Sequence, residues 1–223
     1  LKGSPGKIIL DGDPRGTQLV SGKKIEIPTY DGQTIVTTID NNLQYMAATI
    51  LEETVQKHQA EAGQIIIMSP KTGDILAMAS VPTFNPNTWK TSQADQRRIR
   101  PITDIFEPGS TFKMVVLAGV LEEDIVSSKT TLHVPETYTL YNKTISEAHD
   151  RKPNEESTKS VSEIIEQSLN VGTTLLAQKL GEERFYKYIK EFGFGQRSGI
   201  ELPGESKGLL RPVKKWSGVD IAM

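Results

Sequence analysis

Cysteine is absent from all 223 residues, which excludes disulfides, thiolate nucleophiles and cysteine-held metals and suits an oxidising extracytoplasmic space. Histidine is scarce. His58, His133 and His149 stand far apart, without an H-x-x-x-H or H-x-H pair, so each reads as a surface residue and no metal site is expected. No apolar run approaches the roughly 20 residues of a membrane-spanning helix, and no leader peptide is visible. Neither charge sign is in excess: 26 basic and 28 acidic residues give a net charge of −2, with no basic stripe. Nucleic acid is therefore not an expected partner. The length suffices for one large domain or two small ones with a real core. The sequence opens on Leu1 and closes on GVDIAM, and it reads as a piece excised from a longer chain.

Residues 1–30 mix Gly, Pro and charge with short apolar pairs, the pattern of a loose β segment or the tail of a preceding domain. QTIVTTID (33–40) predicts a strand, and Asp40 an N-cap for the helix after it. In that helix Leu43, Met46, Ala47, Ile50, Leu51, Thr54 and Val55 recur at the spacing of one apolar face. QIIIMSPKTGDILAMAS (64–80) predicts a hairpin turning at Pro70-Lys-Thr-Gly73. A Pro/Asn/Arg-rich loop over 81–107, a helix over 108–121 and an irregular stretch over 125–159 follow. Ser160 with Glu163 is a capping-box pattern for a short helix. Two further helices, Val171–Leu180 and Glu182–Glu191, end at Gly181 and Gly193, and the last 30 residues are a Gly/Pro-rich connection. This order predicts an α+β chain with helices on a mostly antiparallel sheet. Only three strands are legible after residue 30, so the sheet is expected to be incomplete.

The chemistry concentrates in EPGSTFKMVVLAG (107–119). Met114 to Leu121 carries no charge, so the helix is expected to be apolar all round and buried on most sides. Pro108 and Gly109 mark its entry, Ser110 lies in its first turn near the positive end of the dipole, and Lys113 follows one turn later on the same face. A lysine at the edge of an apolar core loses hydration, which lowers its pKa, and a neutral amine beside a hydroxyl is a general base beside a nucleophile. The implied reaction is acyl transfer through a serine ester. The alternative is a solvent-reaching lysine beside a cap residue. S-x-x-K also occurs at Ser4…Lys7 and Ser21…Lys24, but only Ser110…Lys113 heads a helix. Ser168-Leu-Asn170, the single S-x-N, falls at a junction of two short helices, where it either aims a hydroxyl and an amide into a cleft or simply breaks the helix.

Together, Ser110-Thr-Phe-Lys113 within EPGSTFK and Ser168-Leu-Asn170 within SLNVG resemble the first two motifs of the transpeptidase domain of class B, monofunctional penicillin-binding proteins. TTIDNNLQ, IIMSPKTGDILAMAS and FGFGQRSGIELPGE are similar to further segments of that domain, so the likeness covers roughly residues 31–223. The resemblance implies a penicillin-binding-protein/serine β-lactamase-like fold, an antiparallel sheet packed by helices, with a helical subdomain at roughly 85–200 and residues 1–30 as the tail of a pedestal or linker domain. It implies Ser110 as the acylated nucleophile, Lys113 as its general base, Ser168 as the proton relay to the leaving amine and Asn170 as the holder of the substrate's peptide amide. The substrate would be a cell-wall stem peptide ending in D-Ala-D-Ala, β-lactams would acylate the same serine, and no cofactor is implied. The setting would be the extracytoplasmic face of a bacterial membrane, with an anchor outside these residues and cell-wall synthesis machinery, including a glycosyltransferase, as partner.

The family's third motif, K-[TS]-G, lies downstream of the second. The K-T-G of this sequence, Lys71-Thr-Gly73, precedes the nucleophile and reads as a β-turn. Without the downstream motif one oxyanion-hole donor is expected to be missing, at a cost of about 10²–10³ in rate. The chain as given is thus expected to be inactive or feeble. A serine β-lactamase and a non-catalytic β-lactam sensor are the alternative functions. No E-x-x-x-N segment of the class A β-lactamase sort follows Ser168.

Overall fold

The computed structural model describes residues 2–11, 15, 23–149 and 157–222. The chain divides into two units, Leu1–Arg97 and Arg98–Met223.

In the first unit, strand β1 (Lys7–Leu10) pairs antiparallel with β2 (Lys24–Ile27), and a bridge between Ser4 and Tyr30 extends the ladder. The loose β reading of this segment therefore holds; Ser21 lies outside the described residues. The expected strand over 33–40 does not form. That stretch runs without regular structure, although its Asp40 N–H donates to the Leu76 carbonyl (2.9 Å) and its Thr38 Oγ1 to the Ile75 carbonyl (2.6 Å). Val36 is 92% exposed. A β-branched run favours a pleated surface only when a neighbouring strand supplies cross-strand contacts.

Helix α1 (Asn41–His58) starts where Asp40 accepts the backbone N–H groups of Asn42 and Leu43. Leu43, Ala47, Leu51 and Val55 pack against Ala77, Ala79, Ile65 and Ile67. Met46, Ile50 and Thr54, expected on the same face, are exposed: the buried stripe is narrower than the apolar one. Strands β3 (Gly63–Met68) and β4 (Ile75–Val81) form the expected hairpin. Its turn holds Gly73 at φ 80°, and the Gly73 N–H donates to the Ser69 carbonyl, so Lys71-Thr-Gly73 is a turn. Among the described residues of 82–97 the only regular elements are the 3-10 turns Pro86–Thr91 and Asp95–Arg97.

The second unit begins with a short helix α2 (Arg100–Thr103), then a 3-10 turn (Gly109–Phe112) leading into α3 (Lys113–Glu122). The described residues of the stretch 125–160, expected to be irregular over 125–159, contain four short strands. β5 (Thr131–His133) pairs with β8 (Thr158–Ser160), and β6 (Thr137–Leu140) with β7 (Lys143–Ser146). Strands of three or four residues are too short to display an alternating pattern. Helices α4 (Val161–Glu166), α5 (Asn170–Leu180) and α6 (Glu182–Glu191) complete the unit. The capping box is present: Ser160 Oγ accepts the Glu163 N–H, and the Glu163 carboxylate accepts the Ser160 N–H. The core gathers Val116 and Val120 of α3, Ile164 of α4, Val171 and Leu176 of α5, and Phe185 of α6. Helix α3 is buried on most sides, as expected: Val115, Val116, Gly119 and Val120 are buried, while Met114 is 61% exposed. The three histidines are exposed, as expected.

Candidate active site

The N-terminus of α3 faces the junction of α4 and α5, and the site forms where they meet. Ser110 sits on the 3-10 turn, exposed to solvent. The turn is closed by Thr111 Oγ1 donating to the Pro108 carbonyl (2.7 Å) and by the Lys113 N–H donating to the Ser110 and Thr111 carbonyls. Tight 3-10 geometry at this helix entry, rather than the α turn expected from sequence, presents the serine outward.

Lys113 opens α3 and is buried, with 8% of its surface exposed. Its Nζ donates to the Ser168 carbonyl (2.5 Å), to Ser168 Oγ (3.0 Å) and to Asn170 Oδ1 (2.7 Å). An ammonium has three protons, and each has an acceptor here. Burial pushes the lysine pKa below its ordinary value, and the nearby Glu147 carboxylate opposes that shift. Phe112, beside it in sequence, stacks edgewise on Phe185 and Phe194 with centroids 5.9 and 5.0 Å away. These rings anchor the turn from the core side.

Ser168 occupies left-handed backbone space at φ 54°. It follows the last turn of α4, where its N–H donates to the Ile165 carbonyl and the Leu169 N–H to the Ile164 carbonyl. Glycine is the usual occupant of such a helix-ending position, and another residue there costs about 1–2 kcal/mol. A serine kept in strained backbone beside a buried lysine marks the place where function outweighs local preference.

Asn170 is the first residue of α5. Its Nδ2 donates to the Ser146 carbonyl (2.9 Å) while its Oδ1 accepts from Lys113, so both ends of the amide are oriented by the network. The N-cap residue of α5, Leu169, offers no side-chain acceptor. Glu147 supplies it instead: its carboxylate accepts the backbone N–H groups of Asn170 and Val171, the second at 3.2 Å. A carboxylate at a helix N-terminus satisfies orphan donors and complements the dipole.

The fold therefore brings Lys113, Ser168 and Asn170 into direct contact. Ser110 lies one turn before Lys113, and its hydroxyl has no hydrogen bond to Nζ among the described residues. Sequence reading missed Glu147 and the Ser146 carbonyl. Twenty-odd residues separate them from Asn170, and only the β6–β7 hairpin carries them there; no local pattern marks them.

The site thus has a buried lysine bridging a serine and an asparagine, one turn from an exposed serine, on a scaffold of helices and antiparallel strand pairs. Residues 63–223 match the penicillin binding protein transpeptidase domain, and the chain belongs to that family. It is 33% identical over 98% of its length to penicillin-binding protein PbpB of Mycolicibacterium smegmatis, covering 33% of that protein. It is 32% identical over its full length to stage V sporulation protein D of Bacillus subtilis, covering 34% of it. Among solved structures, penicillin binding protein 3 of Mycobacterium tuberculosis complexed with ampicillin superposes with a TM-score of 0.78 at 32% identity, over 87% of this chain and 43% of that one. The chain thus spans about a third of the length of each of these two curated relatives.

Proposed function

We propose that the site performs the acyl-transfer half-reactions of a peptidoglycan D,D-transpeptidase outside the cytoplasm, within a class B penicillin-binding protein. The single observation that carries this reading is the three-way hydrogen bonding of buried Lys113 Nζ to Ser168 and Asn170, one turn from an exposed serine. Neutral Lys113 keeps two of those donors and frees a lone pair for the Ser110 hydroxyl proton. Ser110 Oγ then attacks the carbonyl of the penultimate D-Ala and the proton passes to Nζ. The C–N bond breaks, and Ser168 relays a proton to the departing D-Ala amine. A second amine from a neighbouring stem peptide then attacks the ester carbonyl, giving up a proton to neutral Lys113; the acyl C–Oγ bond breaks, Ser110 Oγ is reprotonated from Lys113, and the new amide is the cross-link. Asn170 Nδ2, if released from the Ser146 carbonyl, can donate to the substrate's peptide carbonyl. β-Lactams would form the same serine ester, which fits the ampicillin named with the mycobacterial relative.

Residues 1–30 would belong to a preceding domain, and the cell-wall synthesis machinery would be the partner of the whole protein. The test is intact-protein mass after incubation with benzylpenicillin, with Ser110→Ala as control. A single adduct that disappears in the control supports the assignment; an adduct that persists in Ser110→Ala overturns it.

A further inference from the structure

The family's motif residues leave one participant of this network without a role. Glu147, immediately after β7, reaches the start of α5 and grips the two N–H groups that flank the Asn170 carbonyl, while the residue before it, Ser146, holds the Asn170 side chain. Backbone and side chain of Asn170 are thus clamped from one short segment, and the other end of the same amide receives the Lys113 ammonium. Asn170 stands at the first position of its helix, where nothing on α5 itself or on the Leu169 N-cap fixes the leading N–H groups.

We infer that Glu147 is a positioning residue of the acyl-transfer site, a distant N-cap that fixes Asn170 and, through Asn170, the Lys113 ammonium. The inference rests on the acyl-transfer reading above. Three consequences follow from the geometry. The β6–β7 hairpin becomes part of the site's support although it carries none of the motif residues. Displacing the hairpin end would release Asn170 Nδ2 from the Ser146 carbonyl and Asn170 N–H from Glu147 together. A glutamine at 147 could still accept one of the two N–H groups through its carbonyl oxygen but would bring no charge, whereas an alanine accepts none.

The experiment compares the wild-type chain with Glu147→Gln and Glu147→Ala by NMR-detected amide exchange and by the rate of benzylpenicillin adduct formation at Ser110. In Glu147→Ala, exchange at the Asn170 and Val171 amides is expected to quicken at least about tenfold, the loss of one charge-assisted hydrogen bond, with the α6 amide of Phe185 unchanged. The Asn170 side-chain NH₂ resonances are expected to move as well. Adduct formation is expected to fall about tenfold in Glu147→Ala and by less in Glu147→Gln. Unchanged Asn170 and Val171 exchange would overturn the inference, as would exchange that quickens equally in α6, which would make Glu147 a general stabiliser of the fold. If wild type forms no adduct, the defect lies with the oxyanion-hole donor of the missing downstream motif, and the exchange and side-chain resonances alone decide whether Glu147 holds Asn170.

Discussion

Lys113 Nζ and Asn170 Oδ1 lie 2.7 Å apart, joining the first turn of α3 to the first residue of α5. This contact decides how the site is built. It turns two helix N-termini, each unremarkable in its own segment, into one polar cluster at the edge of an apolar core. The lysine is tolerated there because all three protons are bonded.

Removing the lysine should separate chemistry from folding. Lys113→Met keeps the aliphatic stem against the core but leaves the Ser168 carbonyl and Asn170 Oδ1 without their donor. Adduct formation at Ser110 is expected to fall at least about 10²-fold, the usual worth of a general base. Thermal unfolding is expected to shift by no more than a few degrees. Retained adduct formation would remove Lys113 from the mechanism.

The pH dependence of acylation follows from the same residue. Burial holds its pKa below the ordinary 10.5, the carboxylate of Glu147 acting the other way. The neutral amine is the active form, so the rate should rise with pH along a limb lying below the ordinary lysine range. Folding is linked in the same direction: the unfolded chain binds the proton more tightly, so stability rises as pH climbs from the folded to the unfolded pKa. A rate measured from pH 6 to 10.5 checks the limb. Glu147→Gln should move it to lower pH, because a cation loses a neighbouring anion.

Ser168 offers a test of backbone strain. Ser168→Gly relaxes the φ of 54° but removes the hydroxyl, whereas Ser168→Ala removes the hydroxyl and keeps the strain. The glycine variant is expected to be more stable than the alanine variant by about 1 kcal/mol in urea unfolding. Both should acylate slowly. Equal stability would mean that the left-handed conformation costs nothing here.

Gly172 sets the approach of α5 to α4. A Cβ at this position would meet Ile164 Cγ1 and Cγ2 at 2.8 Å. Gly172→Ala would add helix propensity worth about 1 kcal/mol on an open helix, yet here overpacking against a β-branched neighbour should outweigh it. Net destabilisation of roughly 1–3 kcal/mol is expected by denaturant titration, together with slower acylation, because Ser168 and Asn170 lie at the junction of the two helices.

Acid should loosen the same unit. Glu163, Asp104 and Asp220 are each held below the usual carboxylate range, chiefly by hydrogen bonds from Ser160, from Arg98 with Thr103, and from Ser217 respectively. Their stabilisation is complete above the unfolded values near 4 and is lost as pH falls through the folded ones. Circular dichroism from pH 6 to 2 should show the loss beginning below about pH 4. Ser160→Ala should cost about 1 kcal/mol at neutral pH, as a lost N-cap.

Local events could be read along the chain. Asp40 and Ser160 announced their helices, because caps act on N–H groups two or three residues away. Pro70-Lys-Thr-Gly73 announced a turn because one residue needs positive φ. Ser110 and Lys113 stood out because a charge and a hydroxyl open an otherwise apolar helix. Tertiary structure alone decided the rest. Residues 33–40 read as a strand but have no described ladder partner, and β5 to β8 escaped notice because three- and four-residue strands gain their stability from pairing rather than from pattern. Lys113 finds its acceptors 55 and 57 residues away. Glu147 becomes a helix cap only because the β6–β7 hairpin ends beside α5. Caps and turns are satisfied within a few bonds along the chain, whereas a buried cation must find acceptors wherever the fold delivers them.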